Sequence, residues 1–122
     1  MRHLKTGLIV SKVANATPGY TVFSPLGCKT TYLINNDGEV MHEWILPGNA
    51  GLYCYLLPNG NLFGGVQTQE GPVGLRGGGG HLFELDWHSK IIWEYTDHYH
   101  HHDQRRCSNG NTLYASSELL PE

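Results

Sequence analysis

The amino-acid sequence predicts an all-β fold, and three of its features indicate this. The 122-residue chain contains 16 glycines and 6 prolines, and these separate short runs rich in Tyr, Trp, Val and Ile, as in strands joined by tight turns. No segment shows a sustained apolar period of 3.6 residues, so no long helix is predicted. An ordered set of strand and turn signals also occurs twice. A chain of this length forms one domain with a modest core.

The first set begins with an apolar strand, Tyr32-Leu33-Ile34, and a tight turn at Asp37-Gly38. Asp-Gly is a strong hairpin signal, because glycine tolerates the positive φ that such a turn requires. The strand after the turn ends at Trp44. Since successive side chains point to opposite faces of a strand, Val40, His42 and Trp44 share one face. We expect this face to form part of the core between neighbouring units.

The second set lies about fifty positions later in the chain. There His88-Ser89 takes the place of Asp37-Gly38, so we expect a looser turn. The strand after it places Ile91, Trp93 and Tyr95 on the equivalent face. We predict that this face also packs between neighbouring units.

Both sets end in a second hairpin with an Asn-Gly turn, at Asn59-Gly60 and at Asn109-Gly110. Four strands in about fifty residues are typical of a β-propeller blade. We therefore predict that residues 1–122 form a partial β-propeller domain of antiparallel, four-stranded blades. A β-sandwich of about eight strands is the alternative fold.

The predicted domain divides into a lead-in segment at 17–29, one blade-like unit at 30–76 and a second at 77–122. The four strands of each unit are expected around residues 30 to 65 and 81 to 116. The run Gly77-Gly78-Gly79-Gly80 is expected where one unit passes to the next. It has no following Lys-Ser/Thr and no helix, so it does not indicate a phosphate site.

The densest chemical feature is a histidine cluster before the second Asn-Gly turn. Four of the eight histidines occupy five positions in His98-Tyr99-His100-His101-His102-Asp103. Imidazole acts at neutral pH as acid, base, nucleophile or metal ligand with little tuning. This segment is therefore the main candidate site, and an ordinary solvated loop is the alternative.

A metal site is one interpretation of the cluster. His98, His100 and His102 share a face if the segment is extended, and three imidazoles near a carboxylate suit zinc or copper. Alternate residues of a strand lie about 7 Å apart, so one ion binds two of these imidazoles more easily than all three.

Charge and composition argue against several other classes of protein. The formal net charge is −3, and Arg105-Arg106 is the only adjacent basic pair, which argues against nucleic-acid binding. The apolar stretch Gly7-Leu8-Ile9-Val10 is too short for a signal peptide or a membrane span. We expect a cytoplasmic protein from the sequence as written, or a periplasmic or secreted one if a signal peptide was removed.

The three cysteines are odd in number and widely spaced, at Cys28, Cys54 and Cys107. This spacing indicates neither a disulfide framework nor a zinc site of thiolates. We expect them to be small buried side chains on strands.

A longer series of motifs accompanies the turns. It consists of Pro18-Gly19-Tyr20-Thr21-Val22-Phe23-Ser24-Pro25, Thr31-Tyr32-Leu33-Ile34, Asp37-Gly38-Glu39-Val40-Met41-His42-Glu43-Trp44 and Leu56-Leu57-Pro58-Asn59-Gly60-Asn61-Leu62, then Glu84-Leu85-Asp86-Trp87, Ile92-Trp93-Glu94-Tyr95, His101-His102-Asp103 and Asn109-Gly110-Asn111-Thr112-Leu113. In this order the motifs resemble the opening of the arylsulfotransferase (ASST) family of β-propellers. The resemblance covers roughly residues 17 to 115 and is carried by the order of the motifs.

The resemblance implies a six-bladed propeller that transfers a sulfuryl group between phenolic compounds, without a cofactor, through a histidine-lined channel. It implies that His101 or His102 is a catalytic residue that binds the sulfuryl group, and that the partner is an aryl sulfate or a phenol. Since side chains alternate along a strand, one of these histidines would face the channel and the other would pack between blades. The family's nucleophile lies in a later blade than the two that this chain resembles.

Three further side chains are candidates for binding the substrate. Asp103 is expected to accept a hydrogen bond from an imidazole or a backbone amide. Arg105 or Arg106 is expected to hold the anion, and only one of them can reach the channel because adjacent side chains point to opposite faces. The usual Leu-Pro before the second Asn-Gly turn is replaced by Arg106-Cys107-Ser108.

Two isolated blades would leave sheet edges and apolar faces uncovered. The remaining blades of a longer chain could cover them, or identical copies could close the ring, three copies of two blades giving six. The further alternative to an enzyme is therefore a non-catalytic propeller fragment that acts in a larger or oligomeric assembly.

Overall fold

The computed structural model describes residues 7–72 and 79–121. Over these residues the fold is all-β, as predicted, and the helical structure is one short 3-10 turn at Val13–Asn15. The strands are β1 (Tyr20–Phe23), β2 (Thr30–Asn35), β3 (Val40–Ile45), β4 (Ala50–Leu56), β5 (Leu62–Gln67), β6 (Gly80–Leu85), β7 (Ile91–Thr96), β8 (His100–Arg106) and β9 (Thr112–Ser116). No helix in the described segments is long and apolar enough to cross a membrane.

The strands form three antiparallel sheets in which sequential neighbours pair. The first sheet has the order β1-β2-β3, the second β4-β5-β6-β7 and the third β8-β9. The four strands of the second sheet thus occupy residues 50 to 96, so the boundaries predicted at 30 to 65 and 81 to 116 are wrong. The units predicted at 30–76 and 77–122 each contribute strands to two sheets. A sequence repeat identifies equivalent strands, but it does not indicate which strand opens a sheet.

The first hairpin turn of each repeat has the same hydrogen bonds. Asn35 Oδ1 accepts two backbone N–H groups of its turn, and Asp86 Oδ1 accepts the equivalent two, at 2.8–3.0 Å. Gly38 has a φ of 79°, and Ser89 at the same position has a φ of 66°. The prediction of a looser turn at His88-Ser89 is therefore wrong, because the Asp86 side chain holds the serine in the left-handed conformation.

The second sheet packs on the first in the same way as the third packs on the second. β4 lies against β1 and β2, and β8 lies against β5 and β6. A cluster of buried apolar side chains joins the first sheet to the second and consists of Leu33, Trp44, Leu46, Ala50, Cys54, Leu62, Val66, Phe83 and Leu85.

The two faces predicted to lie between units differ in burial. Trp44 on β3 is fully buried, whereas Val40 is 51% exposed. On β7, Ile91 and Tyr95 are 41% and 47% exposed, and Trp93 is half-buried. The expectation of core positions is therefore correct for Trp44 and wrong for Val40, Ile91 and Tyr95. Trp44 and Tyr95 differ because β3 packs against a four-stranded sheet, while β7 faces a sheet with two described strands.

The two described glycines of the run, Gly79 and Gly80, do not connect two sheets. Gly80 is the first residue of β6 and pairs with Gln67 of β5 within the second sheet, while Gly77 and Gly78 lie outside the described residues. A side chain at Gly79 would collide with the imidazole of His100. This glycine therefore makes room for His100 between the second and third sheets.

The cysteines occupy three different environments. Cys54 is buried on β4, as predicted, and burial raises the pKa of its thiol. Cys28 is exposed and Cys107 is half-buried, so the expectation of buried strand positions is wrong for these two.

Candidate functional site

His100, His101 and His102 of the histidine cluster lie on β8, one of the two described strands of the third sheet, and His98 precedes it. β8 pairs with β9, but the register shifts between His100 and Gln104, so the three residues between them form a bulge. β4 has the equivalent irregularity between Ala50 and Cys54. Bulges redirect side chains and are common beside active sites. His101, His102 and Asp103 therefore lie in a bulge of β8 that has an equivalent in β4.

His101 and His102 lie side by side in this bulge. Their Nδ1 atoms are 2.6 Å apart, a distance at which the Nδ1–H of one ring donates a hydrogen bond to the Nδ1 of the other. His101 is half-buried and His102 is exposed. The φ of His102 is 71°, in the left-handed region that residues other than glycine seldom adopt. The chain thus holds the pair at the cost of local backbone strain.

Neither of these two histidines is fully buried, and simple alternation between a channel and the space between blades does not describe them. The bulge interrupts this alternation, and the buried imidazole is instead that of His100, which is 2% exposed. Its Nδ1 accepts the Gly80 N–H at 3.1 Å, which joins β8 to β6. Burial lowers the pKa of His100, although the backbone of Asp103 and the side chains of Gln104 and Asp97 oppose this. His100 is therefore a neutral, structural imidazole.

The three histidines considered as metal ligands have different partners. His98 Nε2 is 3.1 Å from Glu70 Oε2, and His98 Nδ1 is 3.3 Å from Thr68 Oγ1. His100 and His102 make the separate contacts described above. In the described part of the chain, no group of three metal-binding side chains occurs. The structure brings together His101 and His102, but not the set His98, His100 and His102.

Asp103, at the end of the bulge, is held by a residue that the sequence analysis did not identify. The Tyr53 hydroxyl is 2.5 Å from Asp103 Oδ1 and 2.9 Å from the Gln104 carbonyl oxygen. Burial, and then the hydrogen bond to Asp103, raise the pKa of Tyr53, so the hydroxyl keeps its proton. The expected imidazole or backbone donor is thus replaced by a phenol. Tyr53 precedes Asp103 by the same interval as the Asn-Gly turns, which is the signal that could have identified it.

The two arginines point to opposite faces, as expected. Arg106 Nη2 is 3.0 Å from Glu84 Oε2, both side chains are 14% exposed or less, and the guanidinium lies 4.2 Å from the centroid of Trp93. Arg105 is exposed, and its guanidinium lies 5.3 Å from the ring centroid of Tyr55. Arg106 therefore has a structural ion pair, and Arg105 is the arginine that is accessible to an anion.

An open groove of about 400 Å³ runs along β8 and β9 beside the bulge. It is lined by Asp103, Gln104, Arg105, Leu113, Tyr114 and Ala115. Its walls combine one cation, one anion and apolar surface. This combination suits a small aromatic molecule with a charged group.

His100 predicts how stability depends on pH. Its pKa in the folded protein lies below the value of 6.5 in the unfolded chain. As the pH falls below 6.5, the unfolded chain therefore binds a proton on this imidazole before the folded protein does, and the folded protein loses stability. We expect His100→Gln, which keeps an acceptor for the Gly80 N–H but does not titrate, to show a smaller loss between about pH 8 and about pH 5.

Urea denaturation across this pH range measures the effect of the His100 substitution. His88→Gln makes the same replacement at an exposed histidine and is the control for the substitution itself. Equal pH dependence of the parent and His100→Gln would show that this imidazole is not responsible.

Comparison of the chain with models of known protein families, with curated proteins and with solved structures finds no match.

Proposed function

We propose that this chain is part of a β-propeller and that the β8 bulge binds the sulfate group of an aryl sulfate. The observation that supports this most directly is the imidazole pair of His101 and His102, 2.6 Å apart, on a strained and accessible bulge. Strained residues of this kind cluster at active sites and ligand-binding sites, although they also occur in turns such as that of Ser89. The proposal agrees with the resemblance to the arylsulfotransferase family.

The neighbouring charges suit a sulfate ester. The oxygens of the ester accept hydrogen bonds, and the His101–His102 pair and the Arg105 guanidinium supply donors. Asp103 alone would repel an anion, but the hydrogen bond from Tyr53 partly offsets the charge of its carboxylate. The apolar part of the groove, at Leu113 and Tyr114, suits the aromatic ring of the ester.

For the completed ring we propose sulfuryl transfer between phenols. An unprotonated imidazole nitrogen of a later blade attacks sulfur and forms a nitrogen–sulfur bond, while the bond from sulfur to the phenol oxygen breaks and the phenolate takes up a proton. The oxygen of the acceptor phenol then attacks sulfur, the nitrogen–sulfur bond breaks, and the acceptor releases its proton. His101 and His102 act at the sulfuryl oxygens, where donors stabilise developing charge. The remaining blades come from a longer chain or from identical copies of this one.

The substitution His102→Gly separates ligand binding from folding. Glycine adopts a positive φ without a steric penalty, so the variant should match the parent in stability or exceed it by about 1 kcal/mol. Its affinity for 4-nitrophenyl sulfate should fall at least about tenfold, because donors to the sulfate are lost. Titration calorimetry and thermal melting measure the two quantities.

The exposed His88 provides the matched control. His88→Ala should bind 4-nitrophenyl sulfate with the affinity of the parent. The parent and His102→Gly should bind 4-nitrophenol, which has no sulfate, with equal affinity. The proposal is wrong if the parent does not bind the ester, or if His102→Gly binds it equally well.

A further inference from the structure

The turn between β6 and β7 packs on the part of β3 that carries His42 and Trp44. His42 Nε2 is 2.8 Å from the Trp87 carbonyl oxygen, and the two rings stack with centroids 3.8 Å apart. The Ile45 N–H donates to Ser89 Oγ at 2.9 Å. One aromatic residue and one hydroxyl, two positions apart in a turn, therefore attach the second sheet to the first.

The equivalent face of β7 is open beyond two contacts, the Arg106 guanidinium over Trp93 and the Tyr114 ring beside Tyr95. The register of the repeat places Trp93 and Tyr95 where β3 has His42 and Trp44. Tyr95 is 47% exposed, whereas Trp44 is fully buried. Trp93 borders a groove of about 600 Å³ that reaches the Asn109-Gly110 turn. This face carries large aromatic side chains, as a packed face does, but it is less buried than the equivalent face of β3.

The neighbouring strand β9 is open along one edge. Among the described strands, β9 pairs with β8 alone, whereas β5, its equivalent, pairs with both β4 and β6. β8 lies against β5 and β6 as β4 lies against β1 and β2. The repeat therefore places the positions equivalent to β6 and β7 beside β9 and over the open face of β7.

We propose that β9 and the open face of β7 together bind a β-hairpin of this same repeat. One strand of the hairpin pairs with β9, and its turn places an aromatic residue on Trp93 and Tyr95, with a hydroxyl two positions later. The reason is that the chain already makes this contact once, where Trp87 and Ser89 of the β6–β7 turn contact residues of β3. The inference depends on the sheet repeat and not on the proposed ligand.

A fluorescent peptide of residues 80–96, which carries the β6–β7 hairpin of this chain, tests the proposal. The parent protein should bind it, by pairing at a sheet edge. The peptide with Trp87→Ala should bind at least about tenfold more weakly, and so should the protein with Tyr95→Ala, because buried aromatic residues dominate such contacts. Ile92→Ala is the matched protein control, since Ile92 is 53% exposed and adjacent side chains point to opposite faces.

Three results would overturn the proposal. A scrambled peptide could bind as tightly as the hairpin peptide, or Tyr95→Ala could leave the affinity for the peptide unchanged. Sedimentation could also show a closed oligomer of the parent that excludes the peptide. That outcome would assign the face to a second copy of the chain.

Discussion

Trp44→Ala is expected to lower the free energy of unfolding by about 3–5 kcal/mol, as truncation of a large core side chain does. The indole is fully buried and meets His42 and Trp87 edge to face, with ring centroids 4.4 and 5.2 Å apart. Alanine would leave a cavity between the first and second sheets that neighbouring strands cannot fill. Urea denaturation followed by circular dichroism measures the loss.

Trp93→Ala is the comparison, because the sequence places both tryptophans on faces predicted to be core and so predicts a similar cost for both. Trp93 is half-buried and borders the open groove beside β7. We therefore expect a loss of about 2 kcal/mol, roughly in proportion to the smaller apolar area that it buries. Equal losses for the two variants would show that the face of β7 is as well packed in solution as the face of β3.

Arg106→Met is expected to lower the free energy of unfolding by about 3 kcal/mol, because removing one member of a largely buried ion pair leaves the other charge unpaired. Arg106 Nη2 lies 3.0 Å from Glu84 Oε2, and Nη1 lies 2.7 Å from Thr112 Oγ1. The guanidinium also lies over the ring of Trp93. These contacts join strands of the second and third sheets, and chemical denaturation measures their loss.

The neighbouring arginine provides the control for this substitution. Arg105 is exposed, so Arg105→Met should change the free energy of unfolding by less than about 0.5 kcal/mol. Adding Glu84→Gln to Arg106→Met should recover part of the loss, because it removes the unpaired carboxylate. A loss for Arg106→Met as small as that for Arg105→Met would contradict a structural role for the ion pair.

The sequence predicts the local structure well and the grouping of strands poorly. Turn signals such as Asp37-Gly38 and Asn59-Gly60 depend on backbone conformation, which nearby residues determine. Assignment of strands to sheets depends on contacts distant in sequence, such as that between β5 and β6, which the repeat alone does not specify. The open face of β7 was missed for the same reason, since burial depends on what the next sheet contains.

The candidate site shows the same division between local and distant information. The density of histidines identified the segment from His98 to Asp103. The bulge, however, interrupts the alternation that the sequence analysis assumed, and it moves the buried position to His100. The contact from Tyr53 joins two sheets and spans 50 residues, so only a comparison of equivalent positions in the repeat could have indicated it.

The imidazole nitrogen spectrum of the ¹⁵N-labelled protein, recorded during titration with 4-nitrophenyl sulfate, tests the ligand site most directly. We predict that the ring nitrogens of His101 and His102 change chemical shift together and saturate at one ligand concentration, while those of His88 do not change. Unchanged shifts for the His101–His102 pair at a concentration of ester that saturates the calorimetric signal would contradict the account.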